Sequence, residues 1–351
     1  MTQRTIAALI AVPLVLGLFV AAGFMRLDYA TYMPGPTIDV LGQTDGNETI
    51  QVVGQKTYRD TGQLRMVTVN VSPNGERLSL TTLMGAWLNK SDAVYPYDYV
   101  HPDDQSAEED RQEGAVSMVT SQDVAITDAL RALGFTVRAA TGVYYVYPDS
   151  PADGVLQARD IFLKVDGTSI SSPDQLVEAI RDAPEGEKIT LLIERAGQQK
   201  TVSLTPEIQD GVARIGIQPG TLYRYPFQVS VNIDPNIGGP SAGLMFSLAI
   251  YDTLTPGSLT GGKVIAGTGT IDLDGNVGPI GGIQQKIAGA ERDGAELFLV
   301  PPDNCAEALG VEDGNPRLVR VDTMESALKS IAAWTKDPDA DLPSCEDVPA
   351  S

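Results

Sequence analysis

The chain has 351 residues, enough for two or three domains, and carries 46 acidic against 25 basic residues for a formal net charge of −21. That balance argues against nucleic-acid binding, because phosphate contacts draw on lysine and arginine. One histidine and two cysteines are too few for a zinc site, so neither a metal nor a cofactor is expected.

Ile6 to Met25 is uncharged and almost wholly apolar, long enough to cross a bilayer of about 30 Å as a helix. Pro13, Gly17 and Gly23 are tolerable within such a span. Residues 5–26 are therefore expected to be a single-pass anchor in the cell membrane. A cleaved signal peptide is the alternative, since Val20-Ala21-Ala22 has the small residues of a processing site, although the apolar run is longer than signal peptides usually show. Arg4 precedes the span, whereas Arg26 after it is offset by Asp28. The positive-inside rule then leans toward a cytoplasmic N-terminus and an extracytoplasmic body.

Thr37 to Val53 and Gly62 to Val71 read as strands, the latter with Leu64, Met66, Val67, Val69 and Val71 as its apolar residues, and Pro73-Asn74-Gly75 supplies a turn. A helix is expected from Leu78 to Lys90, then an acidic loop from Ser91 to Gly114 containing three tyrosines and His101. Its charge marks a solvated surface segment, with substrate gating as the sharper alternative. From Met118 to Pro206 the pattern changes. Helices are expected at Asp123–Leu133 and Pro173–Arg181, and strands near Phe135–Ala139, Val143–Tyr147 and Lys188–Glu194.

Gln228 to Ile233 alternates as a half-buried strand does. After it, Ser241, Leu244, Met245 and Leu248 recur at helical spacing, and Pro240 fits a first helical turn. A serine in that turn sits among unpaired backbone N–H groups which, helped by Gly239, would form an oxyanion hole. Taken alone, such a serine is more commonly a helix N-cap on a glycine-rich turn. Lys286 shifts the reading, because Ile283, Lys286, Ile287 and Ala290 fall on one helical face that Gly294 can end. A lysine among apolar neighbours loses its charge more easily and can take a serine proton. A snorkelling lysine is the bland alternative.

Three other motifs fail. Gly239-x-Ser241-x-Gly243 fits a nucleophile elbow, but no histidine follows His101. Gly257 to Lys263 approaches a nucleotide-binding loop but is followed by Val264, which has no hydroxyl for Mg²⁺, so no nucleotide partner is expected. Ser326-Ala327-Leu328-Lys329 lacks the companion motifs of its class and reads as a surface helix.

The stretch Gly239-Pro240-Ser241-Ala242-Gly243, Gly267-Thr268-Gly269-Thr270-Ile271, Gly275 to Ile283, Lys286 and Leu297 to Pro302 resembles the Lon-type Ser-Lys peptidases over about 65 residues. The resemblance implies Ser241 as nucleophile and Lys286 as base, supported by Thr268, Gly239 and Ala242, with Thr268 hydrogen-bonding the lysine. Thr270 departs from it, standing where ATP-dependent members carry an acid. Asp149-Ser150-Pro151-Ala152-Asp153-Gly154 and Asp160-Ile161…Val165-Asp166-Gly167 resemble a bacterial PDZ domain, with Arg159 in place of the usual glycine. Such domains add a peptide strand to a sheet edge and hold its carboxylate on backbone N–H groups, here expected around Gly142, Val143 and Tyr144.

The implied fold is α+β: an anchor at 5–26, a Lon-type proteolytic domain in two parts at 27–117 and 209–336, a PDZ sandwich at 118–208 inserted between them, and a tail at 337–351. A linear domain order is the alternative. The expected function is an ATP-independent serine endopeptidase acting on protein or peptide substrates chosen through the PDZ domain. A tethered PDZ adaptor with an inactive or gated peptidase fold, and an esterase, are the competing readings. Homo-oligomerisation stays open, as does whether Cys305 and Cys345 form a disulfide or two separate thiols.

Overall fold

The computed structural model describes residues 3–44, 46–101, 106–184, 186–311 and 316–347. It opens with α1 (Gln3–Phe24), 22 residues long, apolar enough to cross a membrane or to serve as a signal sequence, and packed against almost nothing. The first module follows with β1 (Tyr29–Asp39), β2 (Ile50–Val53), β3 (Gln63–Val71), α2 (Leu80–Leu88), β4 (Ala93–Pro96) and α3 (Ala107–Ala132). The second module comprises β5 (Arg138–Val146), β6 (Ile161–Val165), α4 (Pro173–Arg181), β7 (Ile189–Arg195), β8 (Gln198–Leu204) and β9 (Ile217–Arg224). The chain then returns to the first module with β10 (Gln228–Val231), α5 (Gly243–Leu254), β11 (Val264–Gly267), α6 (Ile283–Arg292), β12 (Leu297–Val300), β13 (Arg317–Arg320) and α7 (Met324–Lys336).

The return is structural, not merely spatial. One six-stranded sheet runs β13-β12-β11-β3-β1-β4, so strands from before and after the second module share it. β11 lies parallel to both β3 and β12, while β1 is antiparallel to β3 and β4. β10 pairs with β2 in the same fashion across the gap. The apolar run of α5 is buried all round, with Leu244, Met245, Phe246, Leu248, Ala249 and Ile250 inaccessible to solvent. Its neighbours include Ala125, Ile126, Ala129 and Leu130 of α3.

Several features depart from the expected layout. α3 starts at Ala107, inside the segment expected to be a loop, because Ser106 and Glu109 form a reciprocal capping box. Its second half packs in the first module's core, so residues 118–132 do not belong with the second module, whose sheet instead runs on to Arg224. The two strands expected around residues 135–147 are the single strand β5, and β1 ends at Asp39 because a small hairpin (Gln43–Thr44 with Asn47–Glu48) interrupts the longer strand. His101 is buried, its Nε2 2.8 Å from the Ser72 carbonyl, and is not part of an exposed loop. Residues 102–105 of the acidic segment lie outside the described residues.

The second module is a sheet in the order β8-β7-β6-β5-β9, covered by α4 around Phe162, Leu176, Leu191 and Ile193. Arg159 adopts φ +71, an uncommon left-handed conformation for a side-chain-bearing residue, and this turns its guanidinium onto α3. There it donates to Gln122 Oε1 at 2.6 Å and lies 3.4 Å from the buried Asp123 carboxylate, tying the two modules together. Cys305 and Cys345 form a disulfide, both sulfurs buried, which holds the C-terminal segment against β13.

Asp128 of α3 is buried beside α5, and desolvation pushes its carboxyl up to about 6. Because the folded value lies above the unfolded one near 3.8, its contribution to stability is fully present below that value and is lost as pH rises through about 6. Asp128→Asn is therefore expected to raise the melting temperature at pH 7.5 and leave it nearly unchanged at pH 4. Thermal unfolding at both pH values checks this; equal shifts at the two would overturn it.

Candidate active site and peptide groove

Three segments converge at one end of the first module. β11 ends at Gly267, where an added Cβ would meet Met245 Sδ at 2.8 Å and Leu299 Cβ at 2.9 Å, so helix α5 and strand β12 both press on that strand. The next residue, Thr268, is buried. Its hydroxyl donates to the Ser241 carbonyl at 3.0 Å, and the Gly269 N–H donates to the same oxygen at 2.9 Å. The loop carrying Ser241 is thereby held to the end of β11.

Lys286 enters from α6. Gly282, in the left-handed region at φ +69, turns the chain into that helix, and Gly294 (φ +80) closes it with the Ala295 N–H donating to Ala290 and its own N–H to Glu291. Ile283, Ile287 and Ala290 are buried on the face that also buries Lys286. The Lys286 Nζ donates to Thr268 Oγ1 at 3.4 Å. No carboxylate pairs with it among the described residues, and burial alone lowers its pKa to about 8. Thr268 thus links the amine to the Ser241 backbone, while the Ser241 hydroxyl makes no hydrogen bond among the described residues.

The helix begins later than the spacing suggested. Ala242 is the residue before the first turn of α5, and Pro240 and Ser241 lie in the turn ahead of it. Gly239 is spoken for, since its N–H donates to the Gly114 carbonyl of α3 at 3.0 Å. Gly238 approaches the same backbone so closely that an added Cβ would lie 3.0 Å from Gly114 Cα, and Ser121 Oγ donates to the Pro240 carbonyl at 3.0 Å. The Gly243 and Leu244 N–H groups are also used, by Pro240 and Gly269. Of the N–H groups from Gly239 to Leu244, those of Ser241 and Ala242 remain without a protein acceptor among the described residues. These two, not Gly239, are available to an oxyanion.

Gly142, Val143 and Tyr144 do not form a loop. They lie within β5, where the Val143 N–H donates to Asp160 and its carbonyl accepts from Arg159, and Gly142 pairs with Gly220 of β9. The backbone of Gly142 and Val143 is thus engaged on both sides, so this segment is not the free edge that a peptide strand needs. The sheet's terminal strands are β8 and β9, and the edge on the α4 side is that of β9. A groove of about 520 Å³ runs beside it, lined by Leu176, Val177 and Ile180 of α4 and by Ile215, Gly216 and Ile217. Gly216 has φ +74, and a Cβ there would overlap the Ser150 side chain at 2.1 Å. The sequence signal for it is Ile215-Gly216-Ile217 ahead of an alternating strand, past residue 208 where the composition suggests that the module ends.

Other sequence candidates lie apart from this chemistry. Lys263 of the nucleotide-loop-like segment stacks over Trp334, its Nζ 4.0 Å from the ring centroid. Among the described residues no three His, Cys, Asp or Glu side chains converge as metal ligands would.

Residues 234–329 match the Lon protease (S16) C-terminal proteolytic domain. The chain carries a Lon-type proteolytic domain. Residues 142–195 match the PDZ domain family, so that domain accompanies it. A Lon protease from Azospirillum brasilense is 36% identical over 94 residues, covering 26% of this chain and 11% of that one. One from Desulforamulus reducens is 45% identical over 69 residues, covering 19% and 8%. One from Chloroflexus aggregans is 24% identical over 207 residues, covering 56% and 24%. The chain therefore matches about a quarter or less of these relatives' own length. Among solved structures, the PDZ domain of the SdrC-like protein from Listeria innocua is 24% identical, covering 23% of this chain and 92% of that one, with a TM-score of 0.22.

Proposed function

We propose that this protein is a membrane-anchored, ATP-independent serine endopeptidase in which Ser241 attacks the scissile carbonyl and Lys286 is the general base. The observation that carries the reading is the chain of contacts from the buried Lys286 amine through Thr268 to Ser241, within a Lon-type domain. With its pKa near 8, roughly one lysine in ten is neutral at pH 7, which suffices for a base regenerated each turnover. The neutral amine takes the Ser241 proton as the hydroxyl oxygen bonds to the carbonyl carbon. The oxyanion is received by the Ser241 and Ala242 N–H groups. The lysine then returns the proton to the departing amine, leaving an acyl-enzyme that water, deprotonated by the same lysine, hydrolyses. The test is cleavage of an unfolded protein by the full chain without ATP, compared with Ser241→Ala; equal rates would sink the reading.

Substrate choice is assigned to the groove beside β9. An extended peptide C-terminus adds to that strand edge, its apolar side chain against Leu176 and Ile180 and its carboxylate at the Ile215–Ile217 turn. Val177 is half-buried on the groove wall. Val177→Glu is expected to raise KM for a long substrate about tenfold while leaving kcat for a short unanchored peptide unchanged. Loss of activity on both the long substrate and the short peptide would mean the module acts on folding instead.

Among the described residues no hydrogen bond reaches Ser241 Oγ, which favours a second reading in which the peptidase is gated and the PDZ domain acts chiefly as a tethered adaptor. A serine-directed probe separates the two: labelling of Ser241 only with a groove peptide present supports the gated form. Anchoring is assigned to α1, with the body on the extracytoplasmic side. Flotation of the full chain with vesicles before and after alkaline extraction tests it.

A further inference from the structure

The helix α2, Leu80–Leu88, has a composition at odds with its position. Nine residues on the surface include no charged side chain, and Met84, Trp87 and Leu88 are 52%, 77% and 71% exposed. Only Leu83 and Ala86 are buried against the body. A surface helix ordinarily turns charged or polar side chains outward, so an outward face of methionine, tryptophan and leucine calls for a partner. Met84 precedes Trp87 and Leu88 by three and four positions, which places all three on one side of the helix.

What adjoins that face identifies the partner. α1 ends at Phe24, and the backbone one residue on is tied directly to α2: the Leu80 N–H donates to the Met25 carbonyl at 3.3 Å. A two-residue antiparallel ladder pairs Arg26 with Ser79 and Leu27 with Leu78, and Arg26 Nη1 donates to the Arg77 carbonyl. Ser79 caps the helix by accepting from the Thr82 N–H. α2 therefore starts where the apolar span stops, and its whole length is about 13 Å at about 1.5 Å per residue. The interfacial layer on each side of a bilayer core is about 5–7 Å deep, a zone in which tryptophan is enriched.

We propose that α2 lies along the lipid interface beside α1, with Trp87, Leu88 and Met84 seated among the headgroups and upper acyl chains. The partner is a lipid bilayer surface, and the contact fixes the orientation of the first module on the membrane instead of leaving it on a single stalk. This rests on α1 being a membrane anchor. A second copy of the chain covering the same face is the competing occupant, disfavoured because the face begins at the anchor's own exit point.

The chain contains two tryptophans, and Trp334 is buried at 4% exposure, so Trp87 is the one a lipid quencher can reach. The full chain is reconstituted in vesicles of phosphatidylcholine and phosphatidylglycerol with and without bromine on the upper acyl chain. The Trp87 emission is taken as the difference between wild type and Trp87→Phe, a change at an exposed position that leaves the fold intact. The expected result is roughly a twofold or greater loss of that emission in brominated vesicles. If the chain floats with the vesicles while Trp87 is unquenched, the anchor stands and the proposal is overturned. Unquenched emission that shifts with protein concentration assigns the face to a second copy and overturns it equally. Failure to float removes the anchor and the proposal together.

Discussion

Ser241→Ala is expected to abolish proteolysis by the full chain, and Lys286→Met to reduce kcat/KM by about 10²–10⁴-fold, the usual worth of a positioned general base. Methionine fills the lysine's volume on the apolar face between Ile283 and Ile287, so the fold has no reason to fail and the loss reports chemistry. The base must be neutral to act. Burial lowers the Lys286 pKa to about 8, so kcat/KM is expected to rise as pH increases through about 8 and to level above it. Thr268→Val gives the internal control. It removes the acceptor of the lysine N–H and the donor to the Ser241 carbonyl, and is expected to cut kcat while leaving KM within a factor of a few. Wild-type rates in Lys286→Met would sink the dyad. Ester turnover surviving in that variant while peptide cleavage is lost would favour an esterase.

Reduction of the Cys305–Cys345 disulfide is expected to lower stability by about 4 kcal/mol. The two residues are 40 apart in sequence, and closing a loop of that length restricts the unfolded chain by about that amount. The native contacts the bond protects are local and specific. Arg317 donates to the Pro338 and Ala340 carbonyls, the Arg320 N–H donates to the Pro343 carbonyl, and Leu342 packs in the main core. The shift in melting temperature should be about 10 °C for a domain of this size. Thermal unfolding with and without reductant measures it, with Cys345→Ser as the covalent counterpart. No shift would mean that the tail holds through its backbone contacts alone.

Much of the site could be read in one dimension because it is built from short-range rules. Helical spacing placed Lys286 on the same face as Ile283, Ile287 and Ala290, and the structure buries that face. The alternation of β3 and the apolar stripe of α5 follow from the same periodicities. α5 starts three residues later than the spacing suggests, because Pro240 and Ser241 suit a first helical turn whereas the loop's bonds to Gly114, Ser121 and Gly269 hold them outside it. His101 looked exposed because its neighbours are charged; the Ser72 carbonyl that buries it is 29 positions away.

The segment expected to be a carboxylate loop is a strand for a related reason. Gly142-Val143-Tyr144 has the look of a glycine-led turn, but whether a strand edge is free depends on what lies beside it, and β6 and β9 flank that segment. Pairing partners are separated by tens of residues, and no local pattern names them.

By itself, then, the sequence determined the chemistry available: a serine without a downstream histidine, a lysine on an apolar helical face, an uncharged span at the N-terminus and an acidic body. Tertiary structure alone decided which of these groups meet. Ser241 and Lys286 are 45 positions apart, and what joins them is Thr268 at the end of a strand laid between β3 and β12. Composition and periodicity are properties of neighbours along the chain, whereas an oxyanion hole, a free sheet edge and a lysine's lowered pKa are properties of neighbours in space.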